Sequence, residues 1–192
     1  MGRGKDTPFP SMERESLYWS LASTSMATQE FITHSAEETI ALGRTLAGML
    51  TPPKLVLLRG DLGAGKTTLV KGIAESFEAA SAEDVTSPTF TLIHEYRGPQ
   101  ANLYHIDLYR IDTPRQLETL GLDDLITNNS ILLIEWGEKF ARFERERDVE
   151  IALERVEDRV EQRFSESTSK RGLEGSPELI EENVRRIRIT TP

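Results

Sequence analysis

The chain contains no cysteine. Disulfides, thiolate chemistry and cysteine-ligated zinc are therefore excluded. Histidine is scarce, with only His34, His94 and His105. No apolar run approaches the roughly 20 residues that a membrane-spanning helix needs. The N-terminal stretch has no apolar signal core and carries Glu13 and Glu15 beside Lys5 and Arg14, so a cytoplasmic setting is expected. Positive charge is also in short supply: 23 Lys and Arg stand against 32 Asp and Glu, a net charge of −9. That balance argues against a broad basic face for nucleic acid and leaves room only for a local patch. At 192 residues the chain is long enough for one domain with a core, and 38% hydrophobic content implies that part of it lies outside that core.

What is present is organised around one stretch, from Leu55 to Val70. A short apolar run enters a glycine-rich turn and leaves through an apolar segment at helical spacing. From Gly60 to Thr67 the turn reads G-x-x-x-x-G-K-T, the P-loop pattern. Its residues are Gly60, Asp61, Leu62, Gly63, Ala64, Gly65, Lys66, Thr67 and Thr68. Glycines let successive backbone N–H groups point at one phosphate. The helix that follows adds free N–H donors and the positive end of its dipole. In such a loop Lys66 reaches the β- and γ-phosphates and the Thr67 hydroxyl ligates Mg²⁺.

Along the chain, residues 1–27 read as a disordered tail, with Met26 a second candidate start of translation. Residues 28–192 read as a single domain. Residues 29–33 suit a short edge strand. Ser35 and Glu38 form a capping-box pattern for a helix running to about residue 50, with Ile40, Leu42, Leu46 and Met49 as apolar contacts. Residues 54–59 and 131–135 are continuous apolar runs of the kind found in buried parallel strands. A helix is expected over 67–78, with Val70, Ile73, Ala74 and Phe77 on its core face. Residues 90–96 and 103–107 flank a turn and read as a hairpin. Residues 113–120 read as a helix opened by Pro114 and ended by Gly121, before a short helical turn over 122–126. Strands are expected at 149–153 and 184–190. Between them, 154–182 is dense in charge and reads as a flexible insertion. The fold class expected is α/β: a three-layer domain with a mixed, largely parallel sheet and a β-hairpin insertion.

A P-loop needs a carboxylate from a neighbouring strand to hold Mg²⁺. Glu135 closes an apolar strand at its C-terminal end, where ligands sit in open α/β sheets, and is the candidate. Asp107 ends a second such strand. It either orients an attacking water, binds the metal from the outer shell, or caps a turn. Hydroxyls of Ser87 and Thr89 lie where switch loops sense a γ-phosphate, or simply precede a strand. Trp136 either flanks the base or sugar or packs in the core. His105 reads as structural. There is no Asn-Lys-x-Asp run for guanine, and Arg142, Arg145 and Arg147 offer only a weak basic lid.

Four blocks carry a resemblance: residues 60–68, Ser87-Pro88-Thr89-Phe90-Thr91-Leu92, Tyr104-His105-Ile106-Asp107-Leu108-Tyr109-Arg110, and Ile134-Glu135-Trp136. In order and approximate spacing they resemble the TsaE (YjeE) family, over about 31–149 and the final strand. The resemblance implies an Mg²⁺-dependent P-loop ATPase of tRNA threonylcarbamoyladenosine modification. Such an ATPase acts on the TsaB–TsaD assembly to allow repeated turnover and meets tRNA only through that complex. It implies Thr67 and Glu135 as Mg²⁺ ligands and Lys66, Asp107, Glu135 and Thr89 as the catalytic set. ATP would lie on residues 60–68 with Trp136 close by. Arg185 or Arg186 of the last strand would be the C-terminal contact to the nucleotide. Two other classes remain open on the residues alone: a small-molecule kinase, and a nucleotide-gated binding module without essential hydrolysis.

Overall fold

The computed structural model describes residues 27–156 and 184–191. The expectations for 1–26 and 157–182 fall outside the described residues. Seven strands form one sheet: β1 (Ala27–Thr33), β2 (Lys54–Arg59), β3 (Ile93–Arg97), β4 (Asn102–Asp107), β5 (Ser130–Glu135), β6 (Val149–Arg155) and β7 (Arg185–Thr191). Their order is β1-β7-β6-β2-β5-β4-β3. The four central strands, β6, β2, β5 and β4, run parallel, and the flanking pairings β1–β7, β7–β6 and β4–β3 are antiparallel. The α/β class and mixed sheet are as the residues implied. The hairpin extends the sheet at one edge, its turn closed by Gly98 N–H on the Ala101 carbonyl at 3.0 Å.

Strand alternation sends side chains to two faces. On one face Val56, Leu58, Leu103, Ile131 and Leu133 pack with α1 (Ala36–Ala47) and α2 (Lys66–Ser76). On the other, Leu55, Tyr104, Ile106, Leu132 and Ile134 meet Leu117, Leu122, Phe140 and Phe143. Those last four lie on or beside α3 (Pro114–Glu118), α4 (Leu122–Leu125) and α5 (Ala141–Glu146). His105, Asp107 and Glu135 share the phase of Leu103 and Leu133, so they belong to the α2 face.

The sequence pattern misplaces several boundaries. β1 begins at Ala27, and β6 continues through Glu154 and Arg155, which pair with Arg186 and Arg185. These two residues are sheet, not the start of an insertion. α1 ends at Ala47, and its buried residues are Thr39, Gly43, Leu46 and Ala47; Leu42 is half-buried and packs on the same core, Ile40 is half-buried, and Met49, beyond the helix, is exposed. Glycine adds to that face a close backbone approach to α2. A Cβ at Gly43 would lie 2.3 Å from the Leu69 carbonyl, and one at Gly72 would lie 1.9 Å from that of Ile40. The two helices touch through glycine, a contact that apolar spacing alone does not reveal. The Ser35 cap holds, accepting Glu38 N–H at 3.1 Å, while the Glu38 carboxylate accepts from His34 N–H at 2.7 Å.

Residues 90–92 are not strand. Leu92 adopts a left-handed φ of 67° and donates its N–H to the Pro88 carbonyl at 2.6 Å. The segment thus folds back before β3 starts at Ile93, and Phe90 is left exposed. A single helical turn at Gly137–Lys139 and helix α5 were not legible, being short and charged. Among the described residues no helix is long and apolar enough to cross a membrane.

Candidate functional site

The loop between β2 and α2 is shaped by three glycines at positive φ: Gly60 at 137°, Gly63 at 78° and Gly65 at 105°. At Gly60 a Cβ would sit 2.4 Å from the Leu153 carbonyl, so β6 and the loop are in backbone contact there. The Ala64 N–H closes a turn on the Asp61 carbonyl at 3.1 Å. α2 starts at Lys66 with Gly65 as its cap residue, and no side chain caps its N-terminal N–H groups. The backbone donors at this end are therefore not taken up by a capping side chain. Leu62 stands out at the loop tip, exposed.

Lys66 is 4% exposed. Its ammonium donates to the Gly60 carbonyl at 2.7 Å and the Asp61 carbonyl at 3.1 Å, and lies 3.5 Å from Glu135 Oε2. It also sits 5.1 Å from the centre of the Trp136 ring. That ring packs on Tyr109 with centroids 5.2 Å apart. Trp136 reaches this position through a left-handed φ of 61° immediately after β5, a strained backbone of the kind that gathers at functional sites.

Glu135 is the meeting point. Its Oε1 accepts from His105 Nε2–H at 2.8 Å and from the Thr67 hydroxyl at 3.4 Å. Burial alone would raise this carboxyl. The hydrogen bond from His105, followed by the Lys66 ammonium, outweighs that and holds it below the ordinary carboxylate range. In register, Asp107 of β4 stands opposite Glu135 of β5. Asp107 Oδ2 accepts the Thr89 hydroxyl at 2.9 Å and Oδ1 accepts the Tyr109 N–H at 2.9 Å. Thr89 in turn shares a hydrogen bond with Ser87 at 2.7 Å. Beside it, the exposed Phe90 ring carries the Arg110 guanidinium at 4.5 Å.

The residues named from sequence thus fall into two linked groups: Lys66, Thr67, Glu135 and Trp136 in one, Thr89 and Asp107 in the other. Sequence reasoning undervalued His105. It lies two residues before Asp107, which puts both on one face, and that spacing was the available signal. Arg185 is buried, and a Cβ on Gly65 would meet its Nε at 2.7 Å, whereas Arg186 is directed to Glu30 and Glu154. Burial, and then the nearby Arg155 charge, lower Arg185 from its ordinary value. The weak basic lid dissolves in part: Arg142 pairs with Asp123 and Glu146, and Arg147 with Glu144 and Glu150. At the end of β2, Arg59 joins that second network through Glu144 and Glu150.

Among the described residues no group of three or more His, Asp or Glu could hold a metal by itself. The pair Glu135 and Thr67 supplies one carboxylate and one hydroxyl, hard oxygen donors that suit Mg²⁺ when phosphates complete the set.

A family model described as threonylcarbamoyl adenosine biosynthesis protein TsaE matches residues 33–164. The chain is 39% identical over 113 residues to the tRNA threonylcarbamoyladenosine biosynthesis protein TsaE of Rickettsia bellii, covering 59% of this chain and 77% of that protein. It is 37% identical over 126 residues to the protein of the same description from Bacillus subtilis, covering 66% of this chain and 77% of that one. Among solved structures it is similar to Bacillus subtilis YdiB, with a TM-score of 0.57, 28% identity and 88% of each chain covered.

Proposed function

The chain belongs to the TsaE family of tRNA threonylcarbamoyladenosine biosynthesis proteins, and from that premise we propose that it binds ATP with Mg²⁺ on residues 60–68 and hydrolyses it slowly, in step with a protein partner. The observation that carries the proposal is the buried carboxylate of Glu135, held between Lys66, Thr67 and His105 beside the loop.

The N–H groups of the loop and of the α2 N-terminus cradle the β- and γ-phosphates, which are acceptors only. The Lys66 ammonium exchanges its loop carbonyls for phosphate oxygens and offsets their charge. Glu135 and Thr67 would hold Mg²⁺, which when bound neutralises charge on the phosphate oxygens. Asp107 orients the water that attacks the γ-phosphate, accepting its proton or fixing its lone pair in line. Thr89, bonded to Asp107, ties the 87–92 segment to that carboxylate as a switch segment would be tied. Trp136 and Tyr109 form an aromatic wall beside Lys66. Arg185, against Gly65, is the C-terminal residue suited to contact the nucleotide.

We further propose TsaB and TsaD as the partners, with tRNA met only through their assembly, in the cytoplasm where ATP and Mg²⁺ are plentiful. Exposed Leu62, Phe90 and Tyr109 around the loop and switch segment supply apolar surface for such a contact. Reconstituting tRNA modification with TsaB and TsaD tests the reading. Repeated turnover should require this protein, and Glu135→Ala should abolish that requirement's fulfilment. Undiminished turnover with Glu135→Ala would leave binding without hydrolysis as the function.

A further inference from the structure

We propose that His105 is a positioning residue that fixes the Glu135 carboxylate for the divalent cation of the ATP complex, by a hydrogen bond donated from its Nε2–H. The proposal rests on the ATP·Mg²⁺ reading above and adds a residue which that reading does not use for the metal.

His105 is fully buried, on β4 in the phase of Leu103 and Asp107. Packing alone would fill such a place with an apolar side chain, because a buried polar ring carries a desolvation cost. Among the described residues the ring makes one polar contact, and it is with Glu135 Oε1 at 2.8 Å. Its Nδ1 is buried and has no hydrogen-bond partner among the described residues. With the proton on Nε2, Nδ1 is a lone pair, which is less costly to leave unpaired than an N–H donor.

The other two groups that reach Glu135 stand farther off, Lys66 at 3.5 Å and Thr67 at 3.4 Å. Both belong to the first turn of α2, the element that engages the phosphates. Without His105, every polar bond that orients Glu135 among the described residues would come from groups that ligand binding redirects. Among the described residues, His105 alone ties the carboxylate to the sheet. Held at Oε1 from the strand below, Glu135 keeps its orientation when Lys66 and Thr67 turn to the phosphates. Outer partners of metal-binding carboxylates act in this way, and their loss typically weakens metal binding about 10–100-fold.

The test separates the two ring nitrogens. In His105→Gln the side-chain amide replaces the donor at the Nε2 position. In His105→Asn the amide stops near the Nδ1 position and falls short of Glu135. His105→Leu fills the volume with no donor and stands in if the Asn variant does not fold, as judged by thermal melting. ATP is titrated into each full-length protein by calorimetry, once with Mg²⁺ in excess and once with EDTA. The gain in ATP affinity on adding Mg²⁺ reports metal coupling without any turnover. The expected result is that Asn and Leu lose about tenfold or more of that gain, while Gln keeps it and the EDTA affinities stay alike. An undiminished gain in Asn and Leu, or an equal loss in Gln, overturns the proposal while leaving the ATP reading intact. A wild-type protein that binds no ATP, or gains nothing from Mg²⁺, instead overturns the reading beneath it and this proposal with it.

Discussion

The Thr89 hydroxyl donates to Asp107 Oδ2 at 2.9 Å, joining the segment before β3 to the end of β4. Asp107 stands opposite Glu135 in the sheet register. The placement of the 87–92 segment and the set of the Asp107 carboxylate are therefore one variable. Thr89→Val keeps the volume and removes the donor. ATP hydrolysis should fall about 10–100-fold through misplacement of Asp107, with ATP affinity little changed, and Thr89→Ser should retain most of the rate. Phosphate release and equilibrium ATP titration measure the two quantities. A serine variant as impaired as the valine variant would contradict the role of the hydroxyl.

Glu135 gives the ligand-free protein a pH signature. Burial works against its charge, but the His105 bond and the Lys66 ammonium prevail, so its folded pKa lies below the ordinary 4.5. The native state then binds fewer protons than the unfolded chain in that window. Stability from this group is present above the unfolded value and is lost as pH falls through the lower folded value. Glu135→Gln carries no titrating group there. Its melting temperature should decline less steeply than that of the wild type below about pH 5. Parallel acid limbs in thermal melts would rule out the charge compensation described.

Helix contact through glycine sets a stability prediction. In an open helix Gly→Ala gains about 1 kcal/mol of propensity. At Gly72 the added Cβ would come within 1.9 Å of the Ile40 carbonyl, backbone that cannot swing aside. Forced separation of packed elements costs about 1–3 kcal/mol, so Gly72→Ala should be net destabilising. Chemical denaturation measures the sign directly, and a stabilised variant would show that α1 and α2 separate freely.

The last strand offers a paired contrast. Arg185 lies against Gly65, while its neighbour Arg186 pairs with Glu30 and Glu154 on the opposite face. Arg185→Ala should weaken ATP binding about tenfold, as loss of a charge-assisted hydrogen bond does, and Arg186→Ala should leave it unchanged. Equal effects of the two changes in an ATP titration would remove Arg185 from the site.

Much of this arrangement was legible because the responsible signals are local. β2 is one apolar run and was placed residue for residue. The loop over 60–68 stands out through its fixed glycines and Lys66, and Glu135 through its place at the end of β5. What escaped depends on contacts distant in the chain. The close approach of α1 to α2 is set by Gly43 meeting Leu69, which its own apolar residues do not announce. Phe90 and Leu92 have strand composition, yet the Leu92 N–H turns back to Pro88 and ends the extended run. His105 gains its meaning only from Glu135, thirty residues on. Arg185 needs the β6–β7 pairing before it reaches Gly65.

Calorimetric titration of ATP with Mg²⁺ into the wild-type chain and into folded Lys66→Ala tests the central claim most directly. The account predicts one ATP site per wild-type chain and at least about a hundredfold weaker binding in the variant, whose loop lacks the cation that reaches the phosphates. A wild-type chain that takes up no ATP, or a Lys66→Ala chain that binds it equally well, would contradict the account.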